Sequence, residues 1–179
     1  MTSRKTTMDP PAELPQLAEL PLDTATMRAA ADRLLAEDAE LPSQDELETL
    51  TLRLRGHLML TIPEVEGLAR QLPEEVQPRV SALAGVGEAR TRLDLEPGSN
   101  LPAGVVHAQR LARSVLALCR HYENLTQTVA YVRMLEHGAS CPDCRNMDEN
   151  GEPTPPCPIM VALYEAYRQA SRGPAAEPR

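Results

Sequence analysis

AQRLARSVLALCRHYENLTQTVAYV, residues 108–132, is the stretch that decides the fold. Its apolar positions Ala108, Leu111, Val115, Leu118, Tyr122, Leu125, Val129 and Val132 alternate spacings of three and four without a slip, which places them on one face of a single long helix. Pro102 sits where a first-turn proline is tolerated, and Gly138 after His137 reads as a C-terminal stop. Ala112, Leu116 and Cys119 widen the stripe beyond a narrow two-stranded seam, so the spacing predicts the central helix of a bundle, with a dimer seam as the alternative.

Upstream, the helices announce their own starts. Asp23 is placed to cap a helix reaching about Glu37 with an apolar stripe of Met27, Ala30, Ala31, Leu34 and Leu35. Ser43 followed by Glu46 is a capping-box signature ahead of Leu47, Leu50, Leu54 and Leu58, and Pro63 is expected to end or kink that helix near Ile62. A short segment over 63–72 would then carry Glu64 and Glu66 in its first turn, and Pro73 would open another helix with Val76, Val80, Leu83 and Leu93. Glu96-Pro97-Gly98-Ser99-Asn100 is a turn. A last helix is expected from Pro158 to about Ser171, carrying Ile159, Met160, Leu163 and Tyr167. Prolines at positions 10, 11, 15 and 21 break any continuous helix at the start. The resulting organisation is a disordered arm over 1–21, a helical bundle over 22–136, a metal-binding segment over 137–172 and a disordered tail over 173–179.

Composition points the same way. The 179 residues contain no Phe and no Trp, and all four Tyr lie in the second half, so the core must be aliphatic. Leu and Ala favour helices, whereas the β-branched and aromatic residues that fill pleated sheets are scarce. The class is all-α. A net charge of −8, with acidic residues spread along the chain, repels phosphate backbones and anionic lipid, which argues against nucleic-acid and membrane partners. No stretch approaches the roughly 20 apolar residues of a membrane span, and no apolar signal segment opens the chain, so a cytoplasmic location is expected.

His137, Cys141, Cys144 and Cys157 form the one group whose spacing carries chemistry: His-x3-Cys-x2-Cys-x12-Cys. A Cys-x2-Cys pair bends the chain so that both thiolates face one point, a histidine closing the preceding helix adds an imidazole nitrogen, and the last cysteine stands where a helix N-terminus favours a thiolate. Four such donors suit a closed tetrahedral Zn²⁺ site. Reduced thiols beside a capping histidine, and a redox pair in Cys141-Pro142-Asp143-Cys144, are the other readings. Cys119 is expected in the core, and His121 points away from it because i and i+2 do not share a helix face. His57 and His107 read as partly buried histidines hydrogen-bonded to neighbours. The acidic pairs Glu64/Glu66 and Glu74/Glu75 read as early-turn charges. No phosphate loop, nucleophile elbow or His-Glu-x-x-His motif occurs.

Residues Leu34 to Leu125 resemble an uncharacterised actinobacterial family of unknown function, through Leu52-Arg53-Leu54-Arg55-Gly56-His57-Leu58, Ile62-Pro63-Glu64-Val65-Glu66, Ala82-Leu83-Ala84-Gly85-Val86-Gly87-Glu88-Ala89-Arg90, Leu111-Ala112-Arg113-Ser114-Val115 and His121-Tyr122-Glu123-Asn124-Leu125. Some members of that family carry a natural-product biosynthesis label, so the resemblance implies that context. His137-Gly138-Ala139-Ser140-Cys141-Pro142-Asp143-Cys144 resembles the signature of zinc-binding anti-sigma factors, helical proteins that bind a sigma factor. It departs from them in its C-terminal position, in the proline-rich loop that follows and in the extra downstream cysteine. The leading expectation is a non-enzymatic helical interaction or accessory protein, with a protein partner or self-association and a structural zinc. A redox- or metal-responsive regulator is the second. The third is an enzyme with a pocket between helices, for which Arg53, Arg55, His57 and Glu64 are the polar candidates.

Overall fold

The computed structural model describes residues 21–172. The tail expected over 173–179, and all but the last residue of the arm expected over 1–21, lie outside them. The order is α1 (Thr24–Leu35), α2 (Gln44–Ala69), α3 (Gln77–Asp94), α4 (Leu101–Ser140), α5 (Pro142–Arg145) and α6 (Pro158–Arg172), and no strand occurs among the described residues.

α4 is the axis. Its 40 residues span about 60 Å at 1.5 Å per residue, long enough to serve different partners at its two ends. The stripe read from the sequence is buried from Ala108 to Val129, except that Tyr122 is only half-buried; Val105, Ala112 and Cys119 broaden it. That breadth is filled by α1, α2 and α3 of the same chain, so the stripe is the centre of a bundle.

Contacts along α4 fix the directions of its neighbours. The start of α1 meets Glu123, which accepts from the Thr24 hydroxyl at 3.0 Å and from Arg28 at 2.7 Å, while Gln109 donates to the Leu34 carbonyl at the other end. α1 is therefore antiparallel to α4. α2 runs parallel to it, with Leu47 beside Gly104 and Gln71 accepting from Arg133 at 2.7 Å. α3 returns antiparallel, Gly85 lying against the His121 ring and Arg92 donating to Ser114 at 2.8 Å. The result is an up-down-up-down arrangement of four helices joined by short connections. A Cβ on Gly85 would approach the His121 ring to 3.0 Å, so glycine permits that close crossing.

The helix starts follow the predicted chemistry. The Asp23 carboxylate accepts from the Thr26 N–H at 2.9 Å, and the Ser43 hydroxyl accepts from the Glu46 N–H at 3.3 Å. Glu46 turns to Arg33 instead, at 2.7 Å, tying α2 to α1.

Three expectations are corrected. Pro63 does not end α2, which continues to Ala69: the proline faces solvent, where water can satisfy the carbonyl it frees, while Leu58, Ile62, Val65 and Ala69 keep the opposite face in the core. Glu64 and Glu66 are consequently not first-turn acids, and Glu66 pairs with Arg90 of α3 at 2.7 Å. Pro73 does not open α3, which starts at Gln77 with Pro78 in its first turn; its buried face is Ala82, Val86 and Ala89, leaving Val80 and Leu83 exposed. Small residues on that face let α3 approach α4 closely, so its packing signal is carried by alanines and not by the larger side chains.

Leu118→Ala should remove a fully buried side chain from the axis and cost about 2–5 kcal/mol in urea unfolding. Met59→Ala on the exposed face of α2 should stay within about 0.5 kcal/mol of the parent.

Candidate metal centre

Beyond Val129 no side chain of α4 is fully buried, and none of α6 is. α6 packs antiparallel on this overhang through Met160, Leu163, Tyr167 and Ala170, all half-buried. Tyr131 and Tyr167 meet with ring centroids 5.8 Å apart, and Gln127 donates to Ser171 at 3.2 Å. Gly138 is a helical residue here and not the stop expected of it. A Cβ there would come within 3.1 Å of the Met160 methyl, so its use is to let α6 approach.

Each candidate ligand is delivered by a distinct local device. His137 lies in the last turn of α4, and its carbonyl accepts from the Cys141 N–H at 2.8 Å, which closes the helix. Pro142 then starts the single turn of α5, which carries Cys144 round beside Cys141. The connection to α6 is folded upon itself. Asp148 accepts from the N–H groups of Asn150 and Glu152 at 2.8 and 2.9 Å, Gly151 takes φ +77°, and Thr154 donates back to the Asn146 carbonyl. The Glu152 and Asn150 N–H groups hold the Asp148 carboxyl below its ordinary range. This turn returns the chain to Cys157, immediately before α6.

The four donor atoms lie within 4.8 Å of one another. His137 Nε2 is 3.1 Å from Cys157 Sγ and 3.7 Å from Cys144 Sγ, and the Cys141 and Cys157 sulfurs are 4.0 Å apart. A tetrahedron with metal–nitrogen and metal–sulfur bonds of the usual lengths has edges of about 3.4 to 3.8 Å, so modest side-chain adjustment closes the shell. The Met160 N–H, donating to Cys157 Sγ at 3.4 Å at the start of α6, holds that thiol down to about 6, with further help from His137. Such a group is a thiolate at neutral pH and is ready for a cation.

The other sequence candidates are not gathered here. Cys119 is fully buried in the bundle core, where burial pushes its thiol up to about 11, and it stands about 27 Å along the unbroken α4 from His137. Arg53, Arg55, His57 and Glu64 do not assemble around one pocket: Arg55 reaches across to the Leu93 carbonyl at 2.8 Å, while Arg53 and Glu64 are exposed. The neighbour bond expected of His57 and His107 is also missing at one nitrogen of each, since both Nε2 atoms are buried without a partner. His107 lies in a groove that nothing in the sequence pointed to.

The fold and the cluster define an all-α protein with an up-down bundle and a His/Cys group at its C-terminal end able to hold a metal ion. Residues 25–127, more than half of the chain, match the profile of DUF6415, a family of unknown function, and the chain belongs to that family. The match covers nearly all of the bundle and stops before His137. No curated protein and no solved structure matches the chain. Among the described residues no helix is long and apolar enough to cross a membrane.

After chelation, three thiols per folded chain should react with a disulfide reagent, and the fourth, Cys119, only on unfolding. A Cys119→Ala variant should keep the three fast thiols and lose the slow one.

Proposed function

We propose that the chain is a non-enzymatic helical interaction or accessory protein in which a structural zinc ion, bound by His137, Cys141, Cys144 and Cys157, fixes α6 on the end of α4. The observation that carries this reading is the convergence of three sulfurs and one imidazole nitrogen within 4.8 Å. Three thiolates select a soft or borderline cation, and four protein donors fill a tetrahedral shell without leaving a position for water or substrate. Such a site stabilises structure and does not activate a substrate.

α6 needs the clasp. A 15-residue helix is marginal by itself, and this one has no fully buried side chain to compensate. Its half-buried stripe faces α4, while Ile159, Val161 and Tyr164 remain exposed, as does Leu135 on α4. Apolar side chains displayed beside a metal clasp support a role in presenting α6 to a protein partner. The resemblance to an actinobacterial family with biosynthetic labels supports an accessory place in natural-product biosynthesis.

Partial exposure of Cys141, Cys144 and Cys157 supports a second reading, an oxidant-responsive clasp. A peroxide would take two electrons from a pair of these thiolates, forming a disulfide and water and leaving the ion with too few ligands.

Protein purified without a metal-affinity column should contain one zinc per chain by mass spectrometry, and Cys141→Ser/Cys144→Ser should contain none. Hydrogen exchange should then quicken through α6 in the double variant while α2 and the first half of α4 keep their protection. Absence of metal from the parent protein would sink the zinc clasp. Partner recovery that is the same for the zinc-loaded parent, the double variant and Ile159→Asp would sink the interaction role of α6.

A further inference from the structure

A second feature lies at the opposite end of the bundle, within the family-matched residues. The N-terminal half of α2, the end of α3, the 95–100 connection and the first turns of α4 enclose a groove of about 570 Å³, within the range of small-molecule sites of roughly 300–1,000 Å³. Its lining is mixed: Leu47 and Leu52 from α2 and Leu93 and Leu95 from α3 and the segment after it supply apolar surface, and polar side chains from α2 and the 95–100 connection supply the rest. Two cationic or cation-capable groups line it: one has a buried nitrogen without a hydrogen-bond partner, and the other has no carboxylate partner among the described residues.

His107 is the first. It is 95% buried, its Nε2 bonds to no protein group, and it borders this groove as well as a neighbouring depression that Pro102, Val106 and Arg110 help to line. A buried, unpaired imidazole nitrogen is costly, and because this one is closed to solvent, a ligand in the groove satisfies it only when the ring turns toward the groove. Arg55 is the second. One of its nitrogens donates to the Leu93 carbonyl at 2.8 Å, which fixes the guanidinium at the groove, yet among the described residues no carboxylate pairs with it. Of the two acids lining the groove, Glu48 accepts from Gln44 at 2.9 Å and Glu96 is exposed in the connection. Neither neutralises Arg55.

We infer that this groove binds a small amphipathic carboxylic acid, its carboxylate held by the Arg55 guanidinium, and by the Nε2 of His107 once that ring turns into the groove, with its aliphatic body laid along Leu47, Leu52, Leu93 and Leu95. A planar guanidinium already anchored at one nitrogen presents its remaining donors to a carboxylate without further loss of freedom. Burial, and then the charge of Arg55, depress the His107 pKa, so the imidazole is neutral at pH 7 and offers Nε2–H as a donor in one of its tautomers. Glu48 and Glu96, which also line the groove, oppose a second negative charge and so disfavour a multiply charged ligand such as a nucleotide. The inference is independent of the metal clasp.

The test uses the full zinc-loaded chain and three probes of equal length: octanoate, octanol and octylamine, titrated by calorimetry and followed by NMR. Octanoate should bind with one site at about 1 mM or tighter, as befits ten non-hydrogen atoms. Octanol and octylamine should each bind at least tenfold more weakly. Arg55→Gln should abolish the preference for octanoate over octanol, whereas Arg53→Gln, two residues away and exposed, should preserve it. His107→Phe should weaken octanoate severalfold. Should Arg55→Gln fail to fold, the ranking of the three probes on the parent chain decides alone. Failure of octanoate to saturate, or binding of octanol or octylamine as tight as that of octanoate, would overturn the inference.

Discussion

The breadth of the apolar stripe on α4 is the constraint from which the rest of the molecule follows. A narrow stripe pairs with one helix, but this one includes Val105, Ala112 and Cys119 beside the three-and-four seam, and it stays exposed on its flanks unless several helices close over it. α1, α2 and α3 do so with alanine, leucine and valine, because the chain has no Phe or Trp to fill larger gaps. Small side chains at the contacts, Gly85 against His121 among them, bring the helices close enough for an aliphatic core to reach normal packing.

That core runs out before α4 does. Past Val129 the helix continues without a fully buried side chain, and α6, lying on the overhang, has none either. Small structures short of apolar burial are commonly held by a covalent or metal link. Here the four donors sit where the packing ends, at the last turn of α4 and the first of α6, so a single ion would close a helix pair that its half-buried stripe leaves loose. A metal in this position would stabilise by constraining the connection over 146–156, and the folded turn around Asp148 has already removed part of the freedom the ion would otherwise have to restrain.

The two candidate sites therefore have different origins. The clasp lies outside the residues that match the family, while the groove lined by Arg55 and His107 lies inside them, built by the helices that define the bundle. One would be a local attachment; the other is a consequence of how α2, α3 and α4 meet.

The sequence by itself determined the class, the long axis, the caps at Asp23 and Ser43 and the His137, Cys141 and Cys144 part of the cluster, because each is a local matter of spacing: three and four for a buried helix face, Ser or Asp before a first turn, two and three residues between ligands; Cys157, separated from Cys144 by twelve residues, is brought to them by the folded turn around Asp148. It misplaced Pro63, Pro73 and Gly138. The effect of a proline or a glycine depends on which way it faces, and that is fixed only when the opposite side of the helix is packed. The alanine face of α3 was likewise hidden, since alanine is at home on either side of a helix until a neighbour arrives. Only the tertiary structure decided that the α4 stripe is consumed within one chain, that Arg53, Arg55, His57 and Glu64 do not assemble, and that His107 is buried at a groove with a nitrogen unpaired. Each of these depends on contacts between residues distant in sequence, whose meeting is set by helix directions that no local pattern encodes.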